Sequence, residues 1–190
     1  AHEQIDHIAV VLSPEDDFFQ TASSHKLSVL KCGGETRAET VRNGLAALLQ
    51  QGLAAPHDNI LVHDAARCCL PPEALSRLIQ KAGGQAEGGI LAVPVADTLK
   101  RADAAQHIGA TVARAGLWQA QTPQLFQAAL LQRALDVGDL SAITDEASAV
   151  EALGVQPLLV QGDSRNLKLT LPQDEYIVRL LLADKSHAPV

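Results

Sequence analysis

The chain has 190 residues, 47% of them apolar and 19% charged, and a formal net charge of −7 at neutral pH. That length and apolar content fit a single domain over residues 1–190 with a sizeable core, and the acidity argues against broad affinity for nucleic-acid backbones, which asks for a basic face. No apolar run approaches the roughly 20 residues of a bilayer span, and no basic segment leads into a hydrophobic one at the N-terminus, so a cytoplasmic protein is expected.

Short apolar or β-branched runs at Ile8 to Leu12 and Leu27 to Lys31 read as strands buried on both faces. The turn CGGETRAET follows, Cys32 to Thr40, with two glycines at a strand end. Such glycines allow close backbone approach to a flat ligand, and the next helix offers unpaired N–H groups. A Gly-rich turn with a capped helix explains the same residues. That helix spans Thr36 to Leu49, with Val41, Leu45, Leu48 and Leu49 on one stripe.

Ile60 to His63 reads as a third strand, running into HDAARCCL. Asp64 stands at its carboxyl end, where a carboxylate can take hydrogen bonds from sugar hydroxyls or help hold a magnesium ion. Arg67 offers a fork that suits a phosphate, although a local Asp64–Arg67 ion pair accounts for both residues equally well. His63 reads as a core or hydrogen-bonded residue rather than a metal ligand, since no second metal-binding residue has suitable spacing. A helix over Pro72 to Gln80 and a strand over Ile90 to Val95 continue the alternation, which predicts a mostly parallel sheet covered on both faces. The three cysteines, Cys32, Cys68 and Cys69, form no C-x-x-C pair and read as small buried hydrophobes.

From Ala96 to Thr122 two strand-like stretches flank a Gly- and Ala-rich turn, predicting a hairpin arm off the main sheet. The arm region carries Asp97, Thr98, Lys100, Arg101, Arg114 and the only tryptophan; solvated surface accounts for Lys100 and Arg101. Helices are predicted over Gln124 to Val137 and Asp145 to Leu153. Helix capping explains Thr144, Asp145 and Glu146 together. Strands at Val155 to Val160 and Leu167 to Thr170 precede a closing helix with a Thr170/Gln173 capping box and Pro172 in its first turn, and the tail after Ala183 reads as frayed. Lys168, flanked by Leu167 and Leu169, points away from them, either to solvent or into a site.

Taken in order, GGETRAETV, VHDAARCCL, GGILAVPVADTLKR, TVARAGLWQAQTPQLF, AITDEASAVEALG and NLKLTLPQD resemble the 2-C-methyl-D-erythritol 4-phosphate cytidylyltransferase family of the non-mevalonate isoprenoid pathway. The resemblance implies a Rossmann-like three-layer α/β/α nucleotidyltransferase with a mostly parallel mixed sheet and a protruding β-arm. It implies transfer of CMP from CTP to the sugar-alcohol phosphate, with release of pyrophosphate and Mg2+ as cofactor. On this resemblance Gly34, Glu35, Thr40, Asp64 and Ala65 bind CTP, and Arg67, Thr98, Arg114, Thr122, Thr144 and Lys168 hold methylerythritol phosphate. Asp64, Arg67 and Lys168 are the catalytic set. The arm at 96–122 matches one that family members exchange across a homodimer, so Arg114 is expected in the partner's site.

Family members also open with a strand and a Gly-rich loop bearing an arginine, followed by a lysine motif, and nothing like these occurs here. The chain starts at Ala1 and has no methionine, so one preceding βα unit, roughly 30 residues or more, is expected in the full protein. Rival readings are a ribitol 5-phosphate cytidylyltransferase, a nucleotide-binding module without catalysis, and a structural dimer built on the arm.

Overall fold

The computed structural model describes residues 2–21 and 24–184. In chain order the elements are β1 (Ile8–Val11), β2 (Leu27–Leu30), α1 (Arg37–Gln50), β3 (Asn59–Val62), α2 (Pro72–Ala82), β4 (Gly89–Pro94), β5 (Leu99–Ala102), β6 (Ile108–Val112), β7 (Trp118–Gln127), α3 (Ala128–Leu135), α4 (Glu146–Glu151), β8 (Leu158–Gln161) and α5 (Asp174–Ala183). β1 and β2 pair in parallel, and α1 lies against β1 at Gly44, where an added Cβ would stand 2.6 Å from Val11 Cγ2.

The main sheet has the order β3-β7-β4-β8. β4 and β8 are parallel, and β7 runs antiparallel to both β3 and β4. Three of its four strands therefore share one direction, as the strand and helix alternation predicts, with β7 inserted against them. Adjacent residues on the central strands face opposite layers. Ile90 and Phe126 pack with Leu45, Leu131 and Val150 under α1, α3 and α4, whereas Leu91 and Leu125 pack with Leu78 and Val160 under α2. This is the expected three-layer α/β/α arrangement.

Several local expectations are corrected. Residues 124–127 are strand, not helix: Leu125 and Phe126 are both buried, one on each face, so this central strand shows no period-2 alternation and its apolar spacing coincides with a helical stripe. Leu167 to Thr170 belongs to no strand; it is a connection tied down where the Leu169 amide donates to the Ala66 carbonyl at 2.8 Å. The Thr170/Gln173 capping box does not form, because the Asp174 carboxylate accepts from the Thr170 and Leu171 amides instead. Asp145, not Thr144, caps α4. Cys68 is exposed, and Cys32 and Cys69 are half-buried. The expected tail lies, from residue 185 on, outside the described residues.

β5 and β6 form a separate antiparallel hairpin, joined to the sheet through the β4–β7 ladder, whose last pair is Pro94 with Trp118. Lys100 donates to Thr111 Oγ1 across this hairpin, consistent with a surface role. No helix among the described residues is long and apolar enough to cross a membrane.

Candidate active site

A cleft of about 220 Å³ opens at the carboxyl end of β3, and Arg37, Asp64, Arg67, Thr122, Thr144 and Lys168 all line it. The register explains part of this convergence. Val62 stands opposite Gln124, so continuing the antiparallel ladder by two residues brings Asp64 beside Thr122. There the Asp64 amide donates to Thr122 Oγ1 at 3.0 Å.

His63 completes this junction. Its Nε2 lies 3.0 Å from the Arg67 carbonyl and its Nδ1 3.0 Å from Thr122 Oγ1. A carbonyl only accepts, so Nε2 carries the proton and Nδ1 accepts from the Thr122 hydroxyl. Enclosure of the ring nitrogens holds the pKa of His63 below the usual imidazole value, which favours this neutral form, although the residue's outer surface reaches solvent.

The Asp64 carboxylate does not pair with Arg67. Its Oδ1 accepts from Arg37 Nε at 2.8 Å, and its Oδ2 lies 3.1 Å from Lys168 Nζ. Burial alone would raise the Asp64 pKa, but the bonds from Lys168 and Arg37 outweigh it and keep the group below the ordinary carboxylate range. Arg37 in turn grips Glu146 with both terminal nitrogens, at 2.6 and 3.0 Å. Glu146 is 1% exposed, and capping does not explain it.

Of the two readings left open for Arg67, the local ion pair does not form. Its Nη1 donates to the Asn166 carbonyl at 2.7 Å, and its buried Nε has no hydrogen-bond partner among the described residues. No carboxylate among those residues lies within salt-bridge distance of it. It therefore presents to the cleft a guanidinium with no direct carboxylate partner, feeling Asp64 only at longer range. The neighbouring connection is pinned by Asn166, wholly buried, whose Nδ2 donates to the Thr122 carbonyl at 2.7 Å. This bond holds the backbone that delivers Lys168.

Gly34, Glu35 and Thr40 form a second group at the start of α1, outside the lining of this cleft. Thr40 Oγ1 accepts from the Gly34 amide at 3.0 Å and donates to the Thr36 carbonyl at 2.9 Å, so it braces the glycine turn. An added Cβ at Gly34 would stand 2.3 Å from Glu39 Cβ, which only glycine avoids. Thr36 and Glu39 close a reciprocal capping box that fixes where α1 begins. Ala65 is exposed in the turn after Asp64, while Thr98 and Arg114 are exposed beside the hairpin and do not line the cleft of their own chain.

Sequence reading passed over Arg37, Glu146, Gln124 and Asn166 as site components. Gln124 spends its whole amide on α4: Nε2 donates to Asp145 Oδ2 and Oε1 accepts from the Ala147 amide, each at 2.8 Å. The signal available was a polar residue inside an apolar strand, hidden by the helical reading of residues 124–137.

A family model described as 2-C-methyl-D-erythritol 4-phosphate cytidylyltransferase matches residues 1–184. The 2-C-methyl-D-erythritol 4-phosphate cytidylyltransferase of Neisseria gonorrhoeae (strain NCCP11945) is 71% identical over 184 residues, which are 95% of this chain and 80% of that protein. The protein of the same name from Chromobacterium violaceum is 54% identical over 181 residues, covering 94% of this chain and 79% of its own length. A crystal structure of 4-diphosphocytidyl-2C-methyl-D-erythritol synthase matches with TM-score 0.86 at 68% identity, over 95% of this chain and 84% of that one. That of 2-C-methyl-D-erythritol 4-phosphate cytidylyltransferase from Thermus thermophilus matches with TM-score 0.78 at 29% identity, over 92% and 81%.

Proposed function

Because the chain belongs to the 2-C-methyl-D-erythritol 4-phosphate cytidylyltransferase family, we propose that the cleft at the end of β3 is where CMP passes from CTP to the phosphate of 2-C-methyl-D-erythritol 4-phosphate. In the reaction an acceptor phosphate oxygen bonds to the α-phosphorus of CTP as the bond from that phosphorus to the β-phosphate bridge breaks. The electron pair leaves with pyrophosphate. Two anions must meet, so the protein's task is positioning and charge compensation, and no protein nucleophile is required.

One observation carries this reading: Asp64, Arg67, Thr122, Thr144 and Lys168, scattered over more than half the chain, converge on a single cleft. Arg67 and Lys168 bring positive charge to the meeting anions, and Thr122 and Thr144 offer hydroxyls to acceptor oxygens. Gly34, Glu35 and Thr40 take the cytosine base, with Ala65 and Asp64 beside the ribose. Thr98 and Arg114 serve the acceptor site of a second copy in a homodimer. The exposure of Ile108 at 69%, with Leu117 and Trp118 also exposed, supports a covered hairpin in the working assembly.

Mg2+ fits this set in a limited way. Among the described residues no three metal-binding side chains cluster, but magnesium is commonly held by one or two carboxylates together with substrate phosphates. Asp64 is the carboxylate that suits it, since among the described residues its Oδ2 is shared only with the half-exposed Lys168. The ion would supply charge neutralisation at the triphosphate. The same reading sets the reaction in the cytoplasm.

The test is pyrophosphate release by the full-length protein with CTP, Mg2+ and either methylerythritol phosphate or ribitol 5-phosphate. Turnover with the first is expected. Turnover with ribitol 5-phosphate alone, or none with either, overturns the reading.

A further inference from the structure

Resting on that functional reading, we propose that Arg37 is a positioning residue for the transfer, held by the buried Glu146 so that it fixes the Asp64 carboxylate at one oxygen. The first argument is commitment of charge. Arg37 and Lys168 face Asp64 and Glu146, two cations against two anions, and Arg37 alone touches both carboxylates. Three of its nitrogens are engaged, Nε with Asp64 and both terminal nitrogens with Glu146. A guanidinium so occupied is poorly placed to bind a ligand phosphate, unlike Arg67.

The second argument is the burial and anchoring of Glu146. A buried carboxylate is costly unless it is paired, and replacing such a pair with apolar residues is often neutral or stabilising. Glu146 is the first residue of α4, whose start is clamped by Gln124 from β7, and Arg37 is the first residue of α1. Two helix starts and a central strand therefore set the place of one guanidinium. Its remaining contact is the carboxylate that lines the cleft. By contrast, Lys168 approaches the other Asp64 oxygen with its side chain 44% exposed. One oxygen is held by a braced partner and the other by a solvent-accessible one.

Two variants test this: Arg37→Lys, which keeps the charge but loses the fork, and the double variant Arg37→Gln/Glu146→Gln, which leaves no unpaired buried charge. Melting temperature, kcat and KM for both substrates are measured well below the transition, with crystal structures of the variants. The expected result is a folded protein whose kcat falls by about tenfold or more, with both KM values changed less than about threefold and Asp64 turned from its native orientation. Wild-type kcat in a folded variant, a loss confined to KM, or Asp64 unmoved overturns the inference. So does failure of both variants to fold, since the pair is then a structural staple. An inactive wild-type protein would instead sink the functional reading, and the inference with it.

Discussion

Lys168 and Thr40 sit at opposite ends of the proposed chemistry, and their surroundings predict different kinetic defects. Lys168 reaches the cleft from a connection and lies 3.1 Å from Asp64, whereas Thr40 braces the Gly34 turn through two hydrogen bonds. Lys168→Ala is expected to lower kcat/KM for the sugar phosphate by about a hundredfold, the scale of losing one charged donor at a transferring phosphoryl group. Thr40→Val frees the turn and is expected to raise the KM for CTP about tenfold with a smaller effect on the acceptor, in line with a lost hydrogen bond. Steady-state kinetics with each substrate varied in turn checks both; matching profiles for the two variants would refute the division of roles. Asp64 and Arg67 were recognisable in the sequence as site candidates, yet their partners were not. Their nearness in HDAAR left a local ion pair and a site equally open, whereas the partners of Asp64 come from residues 37 and 168, and only the assembled fold brings them there.

At the scale of elements, the connection after β8 delivers Lys168, and besides the Leu169–Ala66 backbone bond two side chains anchor it. Asn166 donates to the Thr122 carbonyl from a fully buried position. Asn166→Ala leaves that carbonyl without its donor and is expected to cost about 1–3 kcal/mol of stability. Activity should fall further than the folded fraction does, because Lys168 loses its register; chemical denaturation paired with kinetics measures both. The second anchor ties the connection to α2, where Arg165 bonds Asp163 and Glu73. The Arg165 bond to Asp163 depresses that carboxyl, and Glu73 is lowered by its own backbone amide and then by Arg165. A carboxyl with a depressed folded pKa contributes stability above its unfolded value, near about 4, and loses it as pH falls through the folded value. The stability difference between wild type and Arg165→Met, measured by chemical denaturation, should therefore be constant near neutral pH and shrink below about pH 4, remaining within about 1 kcal/mol because the cluster lies at the surface with each side chain partly exposed. Most elements were readable from periodicity and turn residues. Residues 124–127 and 167–170 were not: the first segment is buried on both faces, and the second is extended without a ladder partner.

For the whole molecule, Arg114 decides whether one copy suffices. It is exposed and does not line its own cleft, although the proposed function gives it to the acceptor. If the hairpin completes a partner's site, light scattering of the wild-type protein should give twice its own monomer mass. Arg114→Ala and Lys168→Ala proteins, each nearly inactive, should regain activity when refolded together, since one of the two sites in a mixed dimer then has both residues intact. No recovery in a demonstrated mixed dimer would put Arg114 in its own chain's site or outside the chemistry altogether. The domain's three layers and hairpin were legible from strand and helix order; which copy's cleft the hairpin serves is a matter of assembly that a single chain's pattern does not encode.

β7 has a mechanical consequence. Its ten residues, about 30 Å of extended chain, run from Trp118 beside the hairpin, through Thr122 at the cleft, past Phe126 in the core to the exposed Gln127, laddered to β4 along much of that length and to β3 at its inner end. The β4–β7 ladder is therefore a stiff mount ending at Pro94 and Trp118, from which the hairpin extends through two short connections, residues 95–98 and 113–117. A load applied at Trp118 is borne along the same strand that carries Thr122, so the mount of the hairpin and the wall of the cleft are one piece of backbone.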